Sequence, residues 1–171
     1  MRILNHKGWI GMLLILLTST SCQLVGEQHS PVEGLWFKRE SNSLYDIEEA
    51  FFADGTFESI GFLRDPDTDE RLEIAFAEIG TYHLAGDRIQ FRVGLETAPR
   101  VLEPFFPLPL PLDSLKSIRN YMAPPENSKR GEMRYRVSGD QLVLDFICPP
   151  NANCPGPQTY TRVGEPTKRL R

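Results

Sequence analysis

Tyr82-His-Leu-Ala-Gly-Asp-Arg-Ile-Gln-Phe91 and Tyr135-Arg-Val-Ser-Gly-Asp-Gln-Leu-Val-Leu144 match position by position, and their reading decides the fold. Each places a small residue, Gly and Asp between two runs in which apolar and polar side chains alternate. Glycine enters the φ > 0 region without a Cβ clash, as tight hairpins require. Both segments therefore read as β-hairpins. Around the first turn Ile89, Phe91 and Val93 point one way, and Arg88, Gln90 and Arg92 the other. Around the second, Met133, Tyr135 and Val137 oppose Arg134 and Arg136, and Leu142, Leu144 and Phe146 return along the dry face. Period two with one polar face is the pattern of an antiparallel sheet covering a core.

Working outward, Ala53-Asp54-Gly55 centres a third hairpin, joining a strand near Leu44 to Phe52 with one near Thr56 to Leu63. Its alternation slips around Ser59 to Phe62, which suggests a bulge at Gly61. Further strands are expected near Leu35 to Arg39, Leu72 to Phe76 and Gln158 to Val163. About eight strands on short turns either close into an up-and-down barrel or leave two edges to protect, and closure is the expectation.

The N-terminus gives an address. Arg2 and Lys7 precede the apolar run Trp9 to Leu17, and the small residues Thr18 to Ser21 lead to Cys22. A run this short falls below the roughly 20 apolar residues a spanning helix needs, so it reads as an export signal. The segment resembles a bacterial lipoprotein signal, which implies a lipid anchor of the palmitate type on Cys22. Ser19 stands where that family's lipobox usually has Leu, and the pair Ser19 and Ser21 also fits ordinary signal-peptidase cleavage. Gln23 after the anchor resembles the outer-membrane retention pattern of Gram-negative bacteria. Residues 1–21 are thus read as a signal, 22–31 as a flexible tether, 32–163 as the barrel and 164–171 as a basic tail, of a kind usually solvated.

The chain has three cysteines, an odd number that leaves one unpaired in an oxidising compartment. Cys148 and Cys154 flank the turn-rich Pro-Pro-Asn-Ala-Asn, and a bridge there would stabilise by about 2–2.5 kcal/mol. Free thiols and a metal site are the alternatives, the latter disfavoured because no histidine lies near. The net charge of −4 becomes more negative once Arg2 and Lys7 leave with the signal. An acidic chain argues against a nucleic-acid partner.

Gly34-Leu-Trp36, Asp54-Gly-Thr-Phe57, Gly80-Thr-Tyr82, the two Gly-Asp turns and Tyr160-Thr-Arg-Val163 together resemble the bacterial lipocalin-like lipoproteins, across roughly Val32 to Val163. The resemblance implies an all-β, antiparallel up-and-down barrel that binds a small hydrophobic ligand. It also implies that Trp36 in the first strand stacks beneath Arg162 in the last, closing one end. The inward residues Phe57, Ile89, Phe91, Tyr135 and Leu144 would line a pocket, or else fill a solid barrel.

Gly94 to Arg130 departs from that pattern and is far longer than a hairpin loop. It holds Pro104-Phe-Phe-Pro-Leu-Pro-Leu-Pro-Leu112, then a segment from Asp113 to Met122 with helical spacing of Leu115, Ile118 and Met122, for which Asp113 is the candidate cap. Phe105 and Phe106 make the insertion a lid over the mouth, a ridge docking an envelope protein, or a plug completing the core. Glu78 shares the parity of Phe76, Gly80 and Tyr82. It is read as a ligand contact, as the partner of an arginine, or as turned outward by a bulge. Asp65-Pro-Asp-Thr-Asp-Glu70 begins like a calcium loop but has Glu70 and Phe76 where Gly and Glu are needed, so an acidic turn explains it better. No nucleophile elbow, phosphate loop or zinc-protease motif occurs. His83 alternates outward and His29 lies in the tether. The expectation is a non-enzymatic protein without metal or cofactor, tied to a membrane through its lipid.

Overall fold

A computed structural model describes residues 30–39, 45–97, 110–125 and 129–170. The export signal, the anchor residue Cys22, and Phe105 and Phe106 lie outside the described residues.

Among the described residues ten strands are formed: β1 (Gly34–Arg39), β2 (Tyr45–Phe51), β3 (Thr56–Arg64), β4 (Arg71–Ala85), β5 (Arg88–Thr97), β6 (Leu110–Pro111), β7 (Met122–Ala123), β8 (Lys129–Ser138), β9 (Gln141–Phe146) and β10 (Gln158–Gly164). Eight of them form the barrel. Neighbours pair antiparallel in the circular order β1-β2-β3-β4-β5-β8-β9-β10, and β10 returns to β1 with Trp36 opposite Arg162. The two-residue strands β6 and β7 are appended to β4 and β5. Closure gives every long strand a hydrogen-bonded neighbour on both sides, which removes the free edge strands that invite aggregation.

The turns follow their chemistry. In the Gly86-Asp87 and Gly139-Asp140 turns the glycine takes φ of 61° and 57° while the aspartate stays at negative φ, the signature of a type II′ turn. The hairpin at Asp54 uses a longer loop, with Phe52 N–H donating to Thr56 O at 3.0 Å and Gly55 at φ 75°. The register slips between Gly61 and Phe62, where the alternation broke in the sequence. The strands expected near Leu72 and Tyr82 are one continuous strand, β4, of 15 residues.

Two cores divide the apolar residues. Trp36, Phe51, Phe57, Ile89, Phe91, Val93, Met133, Leu142, Leu144 and Tyr160 fill the inside of the barrel. Ile60, Phe62, Ile74 and Ala77, on the opposite face of β3 and β4, pack with Leu110, Ile118 and Leu170. The insertion supplies the outer cover. Leu112–Tyr121 is a 3-10 helix, kinked at Ser117, whose Ile118 is fully buried, with Leu115 and Met122 half-buried beside it. Its N-cap is Pro111 without a side-chain cap, so Asp113 sits in the first turn, where its charge faces the positive end of the dipole, rather than at the cap. The described part of the insertion thus lies on the side wall, completing a second core there and not over the mouth.

The basic tail is docked, not solvated. Lys168 Nζ reaches Asp54 at 2.5 Å, Arg169 pairs with Glu48, and Glu58 Oε2 accepts the Arg169 and Leu170 N–H groups at 2.8 and 3.2 Å. Leu170 is 1% exposed in the outer core, and Arg119 donates to its carbonyl at 3.3 Å. The tail therefore clasps both the barrel wall and the helix. Truncation before Lys168 is expected to lower the unfolding free energy by about 2–3 kcal/mol, mostly the lost burial of Leu170, read by urea titration. A loss below about 0.5 kcal/mol would return the tail to the solvated class. The clasp also weakens in acid. Bonds from Lys168 and then Thr56 hold the Asp54 carboxyl down to about 2, against an ordinary 3.8. Its contribution is present above that ordinary value and fades as pH falls toward 2, modestly because the group is half exposed.

Candidate functional site

Inward residues place an apolar plug toward one end of the lumen and polar groups beyond it. The plug is built on aromatic rings. Phe51 meets Tyr82 edge-on at 5.2 Å and Phe91 at 6.0 Å, and Phe57 meets Phe91 edge-on at 5.2 Å. Gly80 permits this packing, because a Cβ there would stand 2.2 Å from Arg92 O and 2.6 Å from Phe57 Cε1. Tyr82 Oη donates to Phe52 O at 2.9 Å, which satisfies the one polar atom its ring brings inside.

Trp36 and Arg162 come together. The guanidinium lies 5.6 Å from the Trp36 ring and donates to Glu33 O at 2.7 Å, while the indole N–H donates to Val32 O at 2.7 Å. Such a cation–π contact is worth about 0.5–2 kcal/mol. Cys148 and Cys154 form a disulfide across the β9–β10 connection, with Cα atoms 6.3 Å apart.

Of the residues proposed from the sequence as pocket lining, Phe57 and Ile89 are 0% exposed, and Phe91 and Leu144 are buried with them. Tyr135 is half-buried against the same cluster. A side chain bordering a void wide enough for water would show area to it; Phe57 and Ile89 show none. These residues are brought together as packing.

Beyond the plug the strand register sets a polar row. Trp36 stands opposite Glu49, Glu49 opposite Ser59, Ser59 opposite Glu78, and Glu78 opposite Glu96. Glu49 and Ser59 are fully buried, and Glu78 and Glu96 half-buried. Lys38, largely buried, faces the same interior, its Nζ 6.0 Å from the Tyr160 ring. Glu78 thus joins a row that the sequence did not reveal as one. Glu49 was missed because Glu48 and Glu49 are adjacent and β2 is covered on both faces, which hides the alternation. The row thus gathers three carboxyl groups and one hydroxyl at the end of an apolar interior.

The wall outside this row is charged. Asp46, fully buried, accepts both Arg39 Nε and Arg39 Nη2 at 2.9 Å, with Arg71 at 3.4 Å and Arg64 at 3.6 Å. Arg71 also pairs with Glu48 at 2.7 Å. The acidic stretch from Asp65 closes on itself: Asp65 Oδ1 accepts the Asp67 and Thr68 N–H groups at 2.8 and 3.1 Å, and Asp69 faces Arg39 at 2.6 Å. Asp65 thus serves the turn and Asp69 the arginines.

No protein-family model matches the chain, and a search of curated proteins finds no match either.

Proposed function

We propose that this chain is an exported, non-enzymatic envelope lipoprotein, tethered through Cys22, whose lipocalin-like barrel binds a small hydrophobic ligand bearing a polar group. The closed eight-stranded barrel is the frame for that reading. The observation that carries it is the inward row Glu49, Ser59, Glu78 and Glu96 beyond the aromatic plug. Carboxyl groups are costly to bury, and a barrel filled only for stability is better served by apolar side chains. A ligand would stand beyond the packed aromatic plug, with its polar end on this row.

A second reading has its own support. The complete burial of Phe57 and Ile89 favours a solid barrel that displays its insertion to an envelope protein. Native mass spectrometry separates the two, using the chain with Cys22→Ser exported without detergent. A discrete added mass, released on denaturation and lost in Glu78→Leu, is expected for the ligand reading. A bare polypeptide mass that persists after incubation with membrane lipid extract would transfer the function to the displayed insertion.

A further inference from the structure

A pocket of about 660 Å³ opens in the outer wall of the barrel, over β4, β5 and the start of β8. Its lining includes Thr81 and His83 from β4, Gln90 and Arg92 from β5, and Glu132 from β8, with Tyr82, Phe91 and Gly131 between them. The residues named by strand are the outward alternates of Tyr82, Phe91 and Met133, so the sheet that fills the core also presents this polar set. The wall is uneven here because the β5–β8 register slips between Phe91 and Arg92, beside Gly131 at φ 107°.

The lining carries one cation, Arg92, and one anion, Glu132, and the anion is paired from outside the pocket. Glu132 is taken by Arg88 at 3.0 Å. Arg92 is exposed and makes no ion pair among the described residues. Thr81, His83 and Gln90 surround it as exposed hydrogen-bonding groups. A second observation extends the field. Arg134 and Arg136 continue the same outer face, both exposed and neither in an ion pair among the described residues. Register sets Arg134 directly opposite Arg88 on one side and Asp145 on the other. Like charges directly opposite in a sheet are destabilising. On a chain of net charge −4, this cationic face is locally opposite in sign to the whole.

We propose that this outer pocket binds a phosphate group, with Arg92 supplying a two-pronged guanidinium contact and Thr81, His83 and Gln90 the remaining hydrogen bonds. Arg134 and Arg136 hold the potential that draws the anion in. The site is separate from the lumen and stands whether or not the barrel carries a ligand. Its phosphate belongs either to a soluble molecule or to the headgroup of an anionic lipid beside a tethered protein.

The test uses the exported chain with Cys22→Ser, so that no anchor contributes. Amide resonances are followed during titration with inorganic phosphate at constant ionic strength, and sedimentation is measured with vesicles of phosphatidylglycerol and phosphatidylcholine. Saturable shifts at Thr81, His83, Gln90 and Arg92 are expected. Arg92→Gln should weaken binding by about tenfold or more, while the charge-matched control Lys116→Gln, on the 3-10 helix, leaves it unchanged. Saturation by phosphate without vesicle binding identifies a soluble ligand; vesicle binding lost in Arg92→Gln identifies the headgroup. The proposal is overturned if neither probe binds, or if Lys116→Gln loses as much as Arg92→Gln, since the effect would then be general charge attraction.

Discussion

Phe57→Ala is expected to destabilise the barrel by about 3–5 kcal/mol, the range for deleting a fully buried ring whose neighbours cannot close the gap. Phe57 has no exposed area and is wedged between the Phe91 ring and the backbone of Gly80, whose missing Cβ makes its room. Strands hydrogen-bonded on both sides cannot move inward to fill the space, so collapse is limited. Urea unfolding with the disulfide intact reads the loss, and the melting temperature should fall by about 10 °C or more for a domain of this size. A loss of under about 1 kcal/mol would mean the ring borders a space that already tolerates its absence. The same variant therefore tests whether this end of the lumen is packing or pocket.

Asp46→Ala is expected to cost about 3 kcal/mol, the low end for removing one member of a buried ionic cluster. Arg39, Arg64 and Arg71 all converge on this carboxylate, and without it three guanidiniums share one patch of wall. Arg39 and Arg71 are partly exposed and can turn toward water, which keeps the loss from being larger. Burial pushes the Asp46 carboxyl up, but the hydrogen bonds and charges of Arg39 and Arg71 outweigh it and leave it below its ordinary 3.8. A depressed value in the folded state adds stability above the ordinary carboxylate range, and that contribution is lost as pH falls through the folded value. Unfolding free energies of wild type and Asp46→Ala should thus differ most near neutrality and converge in acid. Parallel curves from pH 7 to pH 3 would show that the cluster contributes through packing alone.

Much of the architecture was legible in the sequence for local reasons. The Gly-Asp turns are specified by backbone chemistry within four residues, and the alternation around them by the two-residue repeat of a strand. Ile89, Phe91, Leu142 and Leu144 were assigned to the inner face on that basis, and they lie in the inner core. The pairing of Trp36 with Arg162 followed from resemblance to a family and not from spacing. The disulfide was readable because its two cysteines stand only six residues apart. The outward set Arg88, Gln90, Arg92, Arg134 and Arg136 was also visible, but not the pocket, which depends on a register slip between strands far apart in the chain.

What the sequence determined by itself is therefore most of the barrel strands, their Gly-Asp turns and the parity of their faces, since each is settled by neighbours one to four positions away. Tertiary structure alone decided that β2 and β3 are covered on both sides. Leu170 reaches the outer core, and its N–H reaches Glu58, across 112 residues. It alone decided that Glu49, Ser59, Glu78 and Glu96 stand in one row, because each belongs to a different strand and only the register aligns them. Periodicity tells which side of a strand a residue takes; what lies on that side depends on chain that returns from far away.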